Sequence, residues 1–344
     1  MERVITLNGQ AGSSLIIIDG SVGRLSTHLK DTSPFVITDE NVERFHRRRF
    51  PPAEDIFVLK AGERTKSLKT VERIYRRLLD GKADRSSFIL GIGGGVVCDL
   101  TGFAASTFLR GLDFGFVPTT LLAQVDAAIG GKNGVNLHGY KNMVGVINQP
   151  RFVLCDLSLL ETLPQKELLC GLSEVIKSAA IASVEFFEFL EANWEGALER
   201  KREVLGEIVY EAALIKTSIV QDDEKERNER KKLNFGHTFA HAFEKTCGMP
   251  HGEAVSLGMI LSVHLSQKKG LIPASEAMRI RELLRRFRLP VRFKFGRKAV
   301  LSAIRKDKKR KKGMIDFVLL KSLGEAMIQR VSFEELEELV DDLC

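Results

Sequence analysis

Nowhere in the 344-residue chain is there an apolar run approaching the ~20 residues needed to cross a bilayer, so a membrane partner is not expected. The opening Met1-Glu2-Arg3-Val4 lacks a basic segment followed by a long apolar one, and a secretory signal is not expected either. Cysteine is scarce: Cys98, Cys155, Cys170, Cys247 and Cys344 are odd in number, scattered, and form no CxxC pair. That argues against a disulfide frame and for reduced thiols in a cytoplasm. No internal repeat is visible. Charge of one sign is only modestly in excess, at +7. Part of it lies in the run Arg305-Lys306-Asp307-Lys308-Lys309-Arg310-Lys311-Lys312. Neither aromatic stacking positions nor a nucleic-acid motif accompany this run, so it reads as a solvated loop and nucleic acid is not expected as a partner.

With 44% hydrophobic residues and a mean hydropathy near zero, the chain can build substantial cores, and its length favours two domains. In the first half, short apolar runs alternate with helical patterns. Ser14–Ile18, Pro34–Thr38, Ile56–Leu59, Ser87–Gly91, Phe114–Val117 and Arg151–Cys155 read as strands, with Lys69–Asp80 and Val97–Arg110 as helices. Such alternation predicts an α/β layer on a largely parallel sheet. After about Leu160 the pattern turns helical: Pro164–Ala182, Ser183–Trp194, Lys201–Asp222, Lys232–Lys245, Gly252–Lys269 and Ala274–Phe287, with one further strand at Met314–Leu320. The expected organisation is an α/β domain over 1–160 and a mainly α-helical domain over 161–344, with a ligand cleft between them.

Three of the seven histidines fall between 237 and 251. If Leu233–Lys245 is helical, Asn234, His237 and His241 stand at i, i+3 and i+7 on one face, while Phe235, Phe239 and Phe243 follow a row that can enter the core. A buried stripe of amide and imidazoles is costly unless a metal or polar ligand satisfies it. With His251 following a Gly/Pro break, the stretch reads as a metal-dependent enzyme site. Glu174 and Lys177 are isolated charges in a small, apolar helix. They read either as a structural ion pair or, with Glu174 beside His237 and His251, as a two-His, one-carboxylate site that leaves zinc an open position.

The strand into Gly93-Gly94-Gly95 and a following helix can present backbone amides to a phosphate, or it is simply a tight turn. It is not the GxGxxG order. Asp39-Glu40-Asn41 after a strand could hold a ribose. The block Pro118 to Lys132 sets Asp126 and Lys132 around a Gly pair, and Gly139 to Asn142 adds Lys141 and an amide. A lysine behind Gly-Gly presents a point charge to phosphate or carboxylate. Lys216 and Arg230 on neighbouring segments add anion-binding charge.

Taken together and in order, these blocks resemble the 3-dehydroquinate synthases, a family of sugar-phosphate cyclases, over nearly the whole chain. The blocks that carry the likeness are Ala61–Lys66, Gly93 to Asp99, Phe108–Gly111, Pro118–Asn136, Gly139–Asn142, Glu174–Lys177, Arg230–His241, His251–Val255 and Asp307–Lys309. The resemblance implies a Rossmann-like NAD-binding first domain and a metal- and substrate-binding second one. Zinc, with cobalt as the alternative ion, would be held by Glu174, His237 and His251. NAD would be held by Asp39, Asn41, Glu63, Lys66, Gly93, Gly94, Gly95, Asp99, Thr119, Thr120, Lys141 and Thr162. The sugar-phosphate substrate would meet Lys132, Asn142, Lys177, Lys216, Arg230, Asn234, His241 and one of Lys308 or Lys309. Asp126 would lie between cofactor and substrate, and Arg110 would reach across a homodimer interface.

The implied reaction converts 3-deoxy-D-arabino-heptulosonate 7-phosphate to 3-dehydroquinate and phosphate, a step of the shikimate pathway to aromatic amino acids. It runs through transient oxidation by NAD, phosphate elimination, re-reduction and intramolecular aldol closure. Ala127-Ala128 stand where serines are usual, Asn133 where a threonine is usual, and Ala240 where glycine is common. Lys132, Lys216, Arg230 and Asn234 favour the carboxylated substrate over those of other sugar-phosphate cyclases. A metal-dependent polyol dehydrogenase of related fold is the alternative; it would accumulate NADH and has no use for so many anion-binding residues.

Overall fold

The computed structural model describes residues 2–29, 32–305, 310–311 and 314–341. Lys308 and Lys309, and most of the basic run around them, lie outside the described residues. In chain order the first elements are β1 (Arg3–Gly9), β2 (Gly12–Ile18), α1 (Ser26–Leu29), β3 (Phe35–Asp39), α2 (Glu40–His46), β4 (Asp55–Leu59) and α3 (Leu68–Asp80). There follow β5 (Phe88–Gly93), α4 (Gly95–Thr107), β6 (Asp113–Pro118), β7 (Lys132–Leu137), β8 (Tyr140–Ile147) and β9 (Phe152–Cys155). The helices α5 (Gln165–Ala182), α6 (Val184–Leu198), α7 (Arg202–Asp222), α8 (His237–Cys247), α9 (His251–Lys268), α10 (Ala274–Arg286) and α11 (Arg297–Arg305) come next. The chain closes with β10 (Arg310–Lys311), β11 (Met314–Ser322), β12 (Glu325–Ser332) and α12 (Phe333–Asp341).

Two compact units result, one of Met1–Leu168 with Arg200–Lys225 and one of Leu169–Glu199 with Glu226–Cys344. The first is built on a seven-stranded sheet in the order β1-β2-β9-β6-β5-β3-β4. Only β1 and β2 pair antiparallel; the other pairs are parallel. The composition explains this. Every residue of β5 and β9 is buried, and a strand covered on both faces reads as a continuous apolar run. Segment 200–225, which composition places after the boundary near 160, belongs to this unit because α7 packs on β1 and β2. Arg3 fixes that packing, ion-paired to Glu207 at 2.9 Å and lying over the Tyr210 ring.

The β7–β8 hairpin was not expected. Its residues lack the period-two apolar alternation that marks a strand, because β8 is exposed along most of its length. The two strands instead approach closely through glycine: a Cβ on Gly134 would lie 2.8 Å from Val144 O. The pair turns on His138 and Gly139, both at positive φ.

The second unit holds α5, α6, α8–α12 and a small antiparallel sheet, β10-β11-β12, with α9 packed on β11 and α12 on β12. The single helix expected over Leu233–Lys245 is corrected here. Residues Glu229–Asn234 form a 3₁₀ turn, Gly236 sits at φ 78°, and α8 starts at His237. The cause is a backbone contact: a Cβ on Gly258 of α9 would fall 2.0 Å from Gly236 O. The two helices meet so closely that the chain must turn through a left-handed glycine before α8 begins. The phenylalanine row still enters the core, with Phe235, Phe239 and Phe243 all buried.

Candidate active site

The second unit holds the metal-type cluster. Glu174 comes from the middle of α5, and His237 and His251 are the first residues of α8 and α9. The contact that tightens α8 against α9 therefore also fixes the two imidazoles. A Cβ on Gly252 would lie 2.5 Å from Cys170 Cα, so the start of α9 is pressed onto α5 and His251 is set beside Glu174. Among the described residues, these three are the one group of His, Cys, Asp and Glu side chains placed to hold a metal ion, their ligand atoms lying within 4.8 Å of one another.

Glu174 Oε1 lies 3.1 Å from His251 Nε2 and 3.5 Å from His237 Nε2. The outer nitrogens are held as well. His237 Nδ1 donates to Phe235 O at 3.2 Å, and His251 Nδ1 donates to Glu244 Oε1 at 2.8 Å. Both rings thus direct Nε2 at the carboxylate, the orientation a metal ligand needs. Glu174 is 1% exposed and ion-paired through Oε2 to Lys177, itself 2% exposed. Burial raises the Glu174 carboxyl, but Lys177, His237 and His251 outweigh it and hold it well below the carboxylate range. Burial lowers His237 to about 3. Burial also lowers His251, but bonds and charges from Glu174 and Glu244 prevail and raise it to about 10. Two imidazoles and one carboxylate form the donor set of an open zinc site, so the residues present fit a catalytic metal.

Near this cluster the His241 ring lies 5.6 Å from that of His237. Arg230 and Asn234 share the 3₁₀ turn before α8. Arg230 is 2% exposed, and Asn234 Nδ2 donates to Glu226 Oε1 at 2.5 Å.

The first unit gathers the residues expected to bind NAD. The β5 strand runs through Gly93 into Gly94, which caps α4 without a side chain, and a helix start of this kind favours an anion. Cβ atoms on Gly93, Gly94 and Gly95 would meet Val97 at 2.5 Å, Thr120 at 3.1 Å and Ala127 at 3.1 Å. Thr119 N donates to Gly93 O at 3.0 Å, tying the end of β6 to the turn. Asp39 caps α2, accepting from the amides of Asn41 and Val42 at 2.9 and 3.1 Å. Thr162 pairs with His46, whose Nε2 lies 2.8 Å from Thr162 Oγ1.

Lys66 is buried and bonds both Asp99 and, at 2.6 Å, Asn142 Oδ1. Burial raises Asp99 to about 6 against the opposing charge of Lys66. Lys132, Lys141 and Asn142 lie exposed on the hairpin. Lys216 of α7 reaches Asp126, bonding its carboxylate at 2.6 Å and its backbone carbonyl. Arg110 is exposed on a turn where Leu109 and Arg110 both take positive φ. Asn133 serves the scaffold: it is buried and its Nδ2 donates to Gly131 O and Asn148 O.

Sequence reasoning missed Glu244, although His237, His241 and Glu244 stand at i, i+4 and i+7 and could have been read as one helical row. It also missed Asn136, which contacts two expected site residues and which a hairpin reading of 132–147 would have brought forward.

Residues 56–170 match the family described as 3-dehydroquinate synthase N-terminal, and residues 171–310 match 3-dehydroquinate synthase C-terminal. A 3-dehydroquinate synthase of Dehalococcoides mccartyi (strain CBDB1) is 41% identical over 334 residues, covering 92% of this chain and 93% of its own. A solved structure of 2-deoxy-scyllo-inosose synthase, complexed with carbaglucose-6-phosphate, NAD+ and Co2+, superposes with a TM-score of 0.89 at 23% identity, covering 99% of this chain and 100% of its own. Another, ValA (2-epi-5-epi-valiolone synthase) from Streptomyces hygroscopicus subsp. jinggangensis 5008 with NAD+ and Zn2+ bound, gives 0.88 at 25% identity and covers 99% of both chains. The architecture is that of the sugar-phosphate cyclases. Within them, the chain belongs to the 3-dehydroquinate synthase family.

Proposed function

We propose that the chain converts 3-deoxy-D-arabino-heptulosonate 7-phosphate to 3-dehydroquinate and inorganic phosphate in the cytoplasm, using NAD and zinc, with cobalt as the alternative ion. The observation that carries the reading is the set of buried cations. Lys177, Lys216 and Arg230 are all buried, the two lysines each paired with a carboxylate, and cations held inside the fold in this way suit a substrate bearing both phosphate and carboxylate. A dehydrogenase acting on neutral polyols gains nothing from them.

Glu174, His237 and His251 would hold the metal. The glycine turn, Asp39, Asn41, Glu63, Lys66, Asp99, Thr119, Thr120, Lys141 and Thr162 would hold the dinucleotide. When bound, NAD takes up and returns one hydride, and the metal polarises the hydroxyl being oxidised. The chain's own side chains bind and orient. Lys132, Lys177, Lys216 and Arg230 neutralise the substrate's anionic groups, while Asn142, Asn234 and His241 fix its hydroxyls and carboxylate through directional bonds. Asp126, held by Lys216, keeps that ammonium in place. The test is phosphate release from the heptulosonate phosphate with catalytic NAD and zinc while absorbance reports NADH. Phosphate without NADH accumulation is expected. NADH building up on simple polyols, with no phosphate released, would move the chain to the dehydrogenases.

We further read the working form as a homodimer in which Arg110 completes the partner's site. Arginine is suited to such a role because its planar fork grips a carboxylate or phosphate at two points. Mixing Arg110→Ala chains with His237→Ala chains then rebuilds one intact site in each mixed dimer. After full exchange of subunits, activity should recover to about one quarter of wild type, since half of the dimers are mixed and one of their two sites is whole. Absence of recovery in demonstrably mixed dimers would confine Arg110 to its own chain.

A further inference from the structure

We propose that Asn136 is a positioning residue that couples the dinucleotide contacts of the first unit to its substrate contact; this rests on the function proposed above. Asn136 lies near the end of β7, at the irregularity between Val135 and Leu137 in its pairing with β8. All of its bonding groups apart from its carbonyl are engaged within one small region. Its backbone N donates to Lys66 O at 3.0 Å, and it bridges to Ser67 across a parallel pair. Its side-chain Nδ2 donates to Glu63 Oε1 at 2.8 Å. Its Oδ1 accepts from the backbone N of Asn142 at 2.9 Å.

Four of the residues thus drawn together, Glu63, Lys66, Asp99 and Asn142, are expected to touch ligand, and Asn136 stands at the centre of them. Lys66 closes the ring by bonding both Asp99 and Asn142. The Asn142 backbone sits at φ 52°, a left-handed conformation that asparagine adopts more readily than other non-glycine residues but that still needs fixing in place. The side chain of Asn136 supplies that restraint. Glu63 depends on it in another way: it lies on a short 3₁₀ turn that follows Gly62 at φ 102°, and the Asn136 amide is what orients its carboxylate. The hairpin itself is stiff, closing through a two-residue turn at His138 and Gly139. A displacement at Asn136 is therefore transmitted to Asn142.

The amide has two ends, and the test separates them. Asn136→Asp retains an oxygen to accept from Asn142 N but turns a second carboxylate oxygen on Glu63. NAD binding by calorimetry should weaken about tenfold, with KM for the heptulosonate phosphate staying within about twofold. Asn136→Ala loses both bonds, so the NAD dissociation constant and the sugar-phosphate KM should each rise about tenfold, with a smaller change in kcat. Thermal melts accompany both variants. A merely structural asparagine would lower the melting temperature and leave the dissociation constant and KM untouched, which overturns the proposal. Equal losses in both parameters for Asn136→Asp also overturn it, because the two ends would then not act separately. If wild-type protein releases no phosphate, the functional reading fails on its own account. Calorimetry with NAD alone then decides the Glu63 half: weakening in Asn136→Asp supports it, and unchanged binding sinks it.

Discussion

Protein carrying His237→Ala should emerge from dialysis against a mild chelator with less than about one tenth of the wild-type zinc, because an open site with three protein donors keeps only two when one ligand goes. It should still fold. His237 is held neutral by burial, so its removal strands no charge and costs only the packing of one ring. Glu174→Gln should behave differently. The amide is a poor metal ligand, and the buried ammonium of Lys177 loses its anion. Breaking a buried pair from one side costs about 3–5 kcal/mol, so this variant should lose both metal and thermal stability. Glu244→Gln keeps the ligands but weakens the acceptor that orients His251, and metal affinity should fall roughly 10- to 100-fold. Elemental analysis with melting curves reads all three. Full metal content in the His237→Ala protein would sink the assignment of this cluster as the metal site.

The order of those effects depends on details that the sequence carries unevenly. The cluster of Glu174, His237 and His251, which the structure brings within 4.8 Å, was legible because each stands in an unusual setting: a carboxylate in a small apolar helix, and two histidines on either side of a Gly/Pro break. The parallel sheet was legible for a similar reason, since buried parallel strands are continuous apolar runs. What the sequence does not display is close backbone approach. Nothing local in Gly236 announces that Gly258 will press against it, 22 positions later, and so the expected single helix breaks ahead of His237. The Asn234 stripe was mistaken as geometry, because Asn234 lies in the 3₁₀ turn before α8.

The β7–β8 hairpin failed for the opposite reason. Its polar and glycine positions looked like a ligand loop because β8 is exposed along most of its length and shows no apolar alternation. Asn133, which stands where a threonine is usual, is turned inward onto two backbone carbonyls. The placement of α7 was hidden as well. A helix that crosses back to the first unit has the same periodicity as one that stays in the second.

That crossing gives Lys216 its place, and Lys216→Met should produce the largest loss of activity among variants outside the metal cluster. Lys216 is 6% exposed, and its ammonium holds both the carboxylate and the backbone carbonyl of Asp126. Asp126 lies in a single π-helical turn, Ala123–Ala127, of a kind that recurs at functional sites. The Asp126 carbonyl accepts from Ile129 N at 3.0 Å and from the Lys216 ammonium as well. Methionine fills much of the same volume without charge, so the core beneath α7 should stay packed. Stability should drop by about 1–3 kcal/mol for the lost ion pair, less than a fully buried pair would lose, since the Asp126 side chain is 31% exposed. The activity loss should be far greater. A preorganised cation facing developing negative charge is worth roughly a thousandfold in kcat/KM. Lys216→Arg should recover little of it, because a planar guanidinium cannot replace a compact ammonium in a closed position. Steady-state kinetics beside a melting curve distinguish the two contributions. A lowered melting temperature with kcat/KM within about twofold of wild type would reduce Lys216 to a brace for the π turn, since the loss would then match that of an ordinary hydrogen-bonded pair and nothing more.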